Sequence, residues 1–192
     1  MAHNFFALIA RMKYIDRWGL MRNTQPENIQ EHSHMVAVLA HALAVIGREK
    51  FGSKVDPGEA AVAGLYHDAS EILTGDLPTP VKYDNPGIKD AYKAVERVAA
   101  DKLLSMLPEE LAPAFAPYVR EELDPELLAL VKAADKLSAH IKCLEELSAG
   151  NAEFRLAARQ TRAALEAMDL PELGYFMEHF LPGFELTLDE LQ

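Results

Sequence analysis

The chain has 192 residues, 49% of them hydrophobic, a formal net charge of -11 and a single cysteine. That length supports one sizeable core, so one domain over 1–192 is expected, and an acidic balance without clustered Lys and Arg excludes a nucleic-acid polymer as partner. The longest apolar stretch, 35–46, is interrupted by His41 and falls short of the roughly 20 residues that span a bilayer, while the lone Cys143 and the lack of a leader-like start predict a cytoplasmic protein with no membrane partner.

In chain order, Phe5, Phe6, Leu8, Ile9 and Met12 fit an apolar helical stripe, after which the periodicity lapses as far as Gln30. That stretch gathers Arg17, Trp18, Gly19, Arg22, Asn23 and Pro26 and reads as an ordered loop. Helical period returns with Val36, Leu39, Leu43 and Ile46. A further helix starts after Asp56, an N-cap followed by Pro57 and, at the third position, Glu59; this helix is expected to carry a His67-Asp68 doublet. The segment Thr74-Gly75-Asp76-Leu77-Pro78-Thr79-Pro80 cannot continue a helix, because its prolines lack donors and fix their backbone angles. Later helices are predicted over 87–107, 125–148 and 151–168, with shorter ones near 108–117 and 171–180. No strand alternation or internal repeat is evident, so the expected fold class is all-α, a helical bundle with a polar site between helices.

Helical phase selects the polar residues that face inward. With Val36 at zero and about 100° per residue, Leu39, Leu43 and Ile46 fall between about 0° and -80°, His32 falls near -40°, and His34 and His41 fall near 150° on the far side. In the doublet helix, Ala60, Ala61 and Gly64 lead along one stripe to His67, Asp68 and Glu71, and these small residues are expected to leave room for an ion and a substrate. Asp135 sits at the edge of the inner face defined by Leu127, Val131, Ala134, Ser138, Ile141 and Leu144, with Lys132 and Lys136 pointing away. Any one of these residues alone reads as a hydrogen-bonded core histidine or a salt-bridged aspartate. Together, His32, His67, Asp68 and Asp135 supply two imidazoles and two carboxylates for one divalent metal ion, and Glu71 beside them points to hydrolysis. His3, His140 and His179 read as residues outside the site.

A helical His, an adjacent His-Asp pair and a distant Asp resemble the metal-dependent phosphohydrolases of the HD-domain superfamily. The likeness extends over Arg17-Trp18, Met21-Arg22-Asn23, Glu31-His32-Ser33, Tyr66-His67-Asp68-Ala69-Ser70-Glu71, 74–82 and Lys142-Cys143-Leu144-Glu145-Glu146-Leu147, where the chain is similar to the bacterial HD-domain 5'-deoxynucleotidases. The resemblance implies hydrolysis of deoxyribonucleoside 5'-monophosphates, a homodimer, Arg17 and Trp18 near the substrate, and functional carboxylates at Glu71 and Asp76. With no histidine between Asp68 and Asp135, one metal of the Co, Mn, Fe, Ni or Zn class is expected, since two-metal relatives draw extra histidines from that interval.

On this reading Arg17 offers a bidentate fork to phosphate, where Lys82 would be a point charge and Arg22 a solvated or structural residue. Glu71 orients or deprotonates water. Asp76 is a proton donor, a sugar ligand or a cap of its own turn, and Trp18 either presses on the sugar or anchors the loop. Thr79 is a substrate contact or simply part of a Pro-Thr-Pro turn. The alternative functions are an HD phosphohydrolase of another nucleotide and a non-catalytic nucleotide-binding module.

Overall fold

The computed structural model describes residues 3–82 and 85–191, and among these its regular elements are helices, with one isolated antiparallel bridge between Asp16 and Asn28. Ten α-helices follow one another: α1 (Phe5–Ile9), α2 (Ile29–Ile46), α3 (Pro57–Tyr66), α4 (Glu71–Thr74), α5 (Thr79–Lys82), α6 (Pro86–Leu104), α7 (Ala112–Val119), α8 (Pro125–Ser148), α9 (Arg155–Glu166) and α10 (Pro171–His179).

Local chemistry sets the helix starts. Asn28 caps α2 by accepting the Gln30 and Glu31 N–H groups, while the Glu31 side chain returns to the Asn28 N–H in a capping box. Asp56 accepts the Glu59 N–H at 2.8 Å with Pro57 at the first helical position, as expected. Asp124 caps α8 in the same manner.

Helices α2 and α8 form the centre of the bundle, with α3 laid against α2. Their facing stripes supply most of the main core: Val36, Leu39 and Leu43 from α2, Ala60 and Ala63 from α3, and Leu130, Val131, Leu137 and Ile141 from α8. A second cluster around Phe5, Leu103, Leu104 and Val119 joins α6 to the other end of the bundle, and a small third cluster packs Cys143 and Phe154 against Trp18 and Met21. Among the described residues no helix is long and apolar enough to cross a membrane.

Two expectations need correction. The doublet does not ride within a continuous helix, because α3 ends at Tyr66, His67 is its C-cap, and a turn through Asp68–Ser70 precedes α4. The turn keeps right-handed dihedrals at His67 and Ser70 and closes with Ala69 N–H to the Tyr66 carbonyl and Glu71 N–H to the Asp68 carbonyl. Nor does the small-residue seam hold space open. A Cβ on Gly64 would lie 2.7 Å from Ala37 Cα and 2.8 Å from Ala37 N, so this glycine is required by the contact of α3 with α2.

Candidate metal centre

Three helices and the α3–α4 turn bring the predicted residues together. His32, in the first turns of α2, is fully buried; its Nε2 lies 3.1 Å from Asp135 Oδ1 on α8 and 3.6 Å from Asp68 Oδ2. His67 Nε2 lies 3.0 Å from Asp68 Oδ2, and the two imidazoles stand 5.2 Å apart between centroids. One donor atom each from His32, His67 and Asp135 fit within 4.8 Å of one another. As phase predicted, Asp135 sits at the rim, its side chain 36% exposed, and His34 and His41 face solvent.

Both imidazoles are oriented from behind. His67 Nδ1–H donates to the Gly64 carbonyl at 2.8 Å, which leaves the lone pair on Nε2. For His32, Ser138 Oγ lies 3.1 Å from Nδ1 and receives its proton in the tautomer that turns the Nε2 lone pair inward. His67 Nε2 and Glu71 Oε2 are buried with no hydrogen-bond partner, the approach of Asp68 to His67 lying off a hydrogen-bond line. Two imidazole nitrogens backed by acceptors, that of His67 without a partner, and the Asp135 carboxylate fit a divalent cation, with Asp68 beside them but outside that set of three.

The electrostatics agree with that fit. Burial alone would depress the His67 imidazole, but Asp68 beside it, with Asp135 and the Gly64 carbonyl, pushes it up to about 9. The same field that draws a proton there would hold a cation. Burial works against ionised Asp68 and Asp135, yet the imidazoles and Arg17 keep both well below the usual carboxylate range. Glu71 behaves oppositely: burial first, then Asp68 and Asp76, raise its carboxyl to about 9.

The loop before α2 brings Arg17 to this cluster, its guanidinium 3.4 Å from Asp68 Oδ2 and 3.0 Å from Glu27 Oε2. Trp18 donates its indole N–H to the same Glu27 oxygen at 3.0 Å and packs against Phe154, so the structure supplies the anchoring contact of the indole. Asp76 lies within the influence of Arg17 and of the Trp18 backbone N–H, and burial raises its carboxyl although Arg17 opposes the rise. Lys82 is paired with Glu96 at 2.8 Å, and Arg22 is a surface residue on Glu153. Thr79 opens α5, but its side chain lies outside what the structure describes. His140 donates to or accepts from Thr161, away from the cluster.

Beside the cluster opens a cleft of about 630 Å³ reaching His67, Asp68 and Asp135. Its walls carry Lys82, Lys89, Lys93, Arg97, Arg120 and Lys132 together with Glu96 and Glu121, and Lys82, Arg97, Arg120 and Lys132 are each ion-paired with a carboxylate. Sequence reasoning missed Glu27 and gave Ser138 no orienting role. A loop glutamate looks like a solvated charge, and a helical serine on an inner face looks like packing.

This fold and donor set define the class of the HD-domain phosphohydrolases. An HD-domain phosphohydrolase from Listeria innocua superposes with a TM-score of 0.83 at 22% identity, covering 95% of this chain and 88% of that one. The cyanophage S-2L HD phosphohydrolase, solved with dA and one catalytic Zn2+ ion, superposes with a TM-score of 0.65 at 23% identity over 92% of this chain and 96% of its own. Residues 4–184 match the family model described as 5'-deoxynucleotidase YfbR-like. The 5'-deoxynucleotidase YfbR of Escherichia coli K12 is 54% identical over 189 residues, which cover 98% of this chain and 95% of that protein. The chain therefore belongs to the YfbR-like 5'-deoxynucleotidase family.

Proposed function

We propose that this protein is a phosphoric monoester hydrolase, a metal-dependent 5'-deoxynucleotidase that converts deoxyribonucleoside 5'-monophosphates and water to deoxynucleoside and phosphate. The observation that carries the reading is the convergence of His32, His67 and Asp135 donors around an unpartnered His67 Nε2, with Asp68 and Arg17 against it, in a chain 54% identical to a 5'-deoxynucleotidase.

His32, His67, Asp68 and Asp135 would hold one ion of the Co, Mn, Fe, Ni or Zn class. When bound, the ion supplies Lewis-acid polarisation of a phosphoryl oxygen and acidifies water. A 2+ charge is neutralised by Asp68 and Asp135, so a dianionic phosphate needs a further cation close by; Arg17, pinned by Glu27 and Asp68, provides its fork. Burial and the Asp68 and Asp76 charges keep Glu71 protonated, so it would act once a bound 2+ charge offsets that field, and it then orients the attacking water or accepts its proton as the new P–O bond forms. The bond from phosphorus to the 5'-oxygen breaks, and that oxygen leaves protonated, the proton coming from Asp76 or from a water it holds. Trp18, held by Glu27 and Phe154, would border the sugar and disfavour a 2'-hydroxyl, and Thr79 would add a substrate contact. The lysines and arginines along the cleft give an anionic nucleotide basic side chains to approach, even though several are ion-paired.

One domain over 1–192, a cytoplasmic location and a homodimer complete the proposal. The test is phosphate release from deoxy- and ribonucleoside monophosphates, with and without added divalent metal. The expected result is metal-dependent release from deoxynucleotides at least about tenfold above ribonucleotides, the size of discrimination a steric contact supplies. Equal rates would remove Trp18 as a sugar gate, and inactivity of metal-loaded protein on every monophosphate would favour a binding module.

A further inference from the structure

One stretch of α8, Lys142 to Leu147, has no part in the site described so far, yet it holds the most heavily bonded buried carboxylate among the described residues. Glu146 is 1% exposed. Its oxygens accept the Thr24 N–H at 2.9 Å, the Thr24 hydroxyl at 2.7 Å, the Gln25 N–H at 3.1 Å and the Asn151 side-chain amide at 2.8 Å. The Lys142 ammonium, also buried, donates to Glu146 and to the Gln25 carbonyl. Burial resists a charge here, but Lys142, Asn151 and Thr24 hold the Glu146 carboxyl well below the usual range.

These bonds converge on one loop. Its neck is closed by the Asp16–Asn28 bridge, by Arg17 N–H to the Glu27 carbonyl at 2.8 Å and by Ile29 N–H to the Ile15 carbonyl at 2.9 Å. Its tip, Thr24 and Gln25, is tied to α8 by the bonds above, and Arg22 beside it is held by Asn151 and Glu153 just beyond that helix. Between neck and tip stand Arg17 and Trp18, sharing Glu27, and Trp18 carries a φ of +59°, a left-handed conformation that an indole side chain rarely adopts unless its surroundings impose it. On α8 itself, Asp135, Ser138, Lys142 and Glu146 lie along one stripe, since intervals of three, four and seven residues return to the same side of a helix. The helix that presents Asp135 to the cluster therefore also grips the loop that presents Arg17, about 16 Å further along its axis.

We infer that Glu146 and Lys142 are positioning residues: a buried ion pair on α8 that sets where Arg17 and Trp18 stand relative to Asp135. An apolar anchor would hold the loop down but let it slide, whereas donors fixed on the Thr24 and Gln25 backbone define its register; a buried pair is costly, which makes a positional role a better account of it than added stability. The activity arm of this inference rests on the nucleotidase reading, but its spectroscopic arm does not. Trp18 is the sole tryptophan, so intrinsic fluorescence reports on the loop directly.

The experiment compares metal-loaded wild type, Glu146→Gln and the milder Thr24→Val, which removes only a hydroxyl at an exposed position. For Glu146→Gln we expect a red-shifted, more readily quenched Trp18 emission, a KM for deoxynucleotide raised about tenfold, a reduced deoxy-to-ribo preference, and kcat and metal content within about twofold of wild type. Thr24→Val should move the same readouts in the same direction, by about two- to threefold in KM. Variants that melt earlier but keep wild-type emission, KM and sugar preference would overturn the inference, and Thr24→Val decides it if Glu146→Gln does not fold. An inactive wild type would refute the nucleotidase reading instead, leaving the fluorescence comparison to decide the positioning role.

Discussion

Asp135→Asn is expected to weaken metal retention by about 10³ while leaving the helical fold intact. The substitution is nearly isosteric, so packing at the rim of α8 is preserved, but two things change at once. A unit charge is lost next to the proposed ion, and at about 4 Å and an effective dielectric of 20 one charge pair is worth roughly 4 kcal/mol, or about 10³ in affinity. In addition, the new amide can turn its NH2 toward His32 Nε2, which lies only 3.1 Å from Asp135 Oδ1, and occupy the lone pair that the metal needs. Elemental analysis after dialysis checks this: a variant that keeps stoichiometric metal would remove Asp135 from the ligand set.

Glu71→Ala should separate binding from chemistry. Its Oε2 atom is buried without a partner and its carboxyl is raised to about 9 by burial and by Asp68 and Asp76, so truncation orphans no donor and relieves an unfavourable burial. Thermal stability is therefore expected to be unchanged or higher, the metal retained, and kcat reduced by about 10²–10⁴, the range associated with removal of a general base. Calorimetry, metal analysis and steady-state kinetics on the same preparation test all three. Normal turnover would exclude Glu71 from the mechanism.

These two residues also mark how far the sequence could be read. Phase along α2 and α8 put His32 inward, Asp135 at an edge and His34 and His41 outside, because one-sided burial imprints a 3.6-residue period on any helix that packs against a core. The bounds of α8 and the Asp56 cap of α3 were likewise legible, since proline and capping residues act within a few positions of themselves. The break after Tyr66 was not, because His67, Asp68 and Glu71 fall on helical spacing whether or not the helix continues through them. Gly64 was misread for a related reason: a glycine looks the same whether it leaves a void or admits another backbone, and only Ala37 on α2 decides between them.

The roles of Glu27, Ser138 and Glu146 lay beyond local pattern altogether. Glu146 meets Thr24 across 122 positions and Ser138 meets His32 across 106, and nothing near either residue in the chain records the partner. What such contacts have in common is that they orient groups that local signals had already found. The chemistry-bearing side chains could be named from spacing and resemblance, whereas the arrangement that aims them came from tertiary structure.

The central claim is that one cation is gripped jointly by His32, His67, Asp68 and Asp135. It is tested most directly by titrating chelator-stripped protein with a divalent metal while following bound ion and phosphate release together. Saturation is expected at one ion per chain, with activity rising in step with occupancy and His67→Ala binding none at the same concentrations. Two ions per chain, or activity at full strength in the stripped protein, would contradict it.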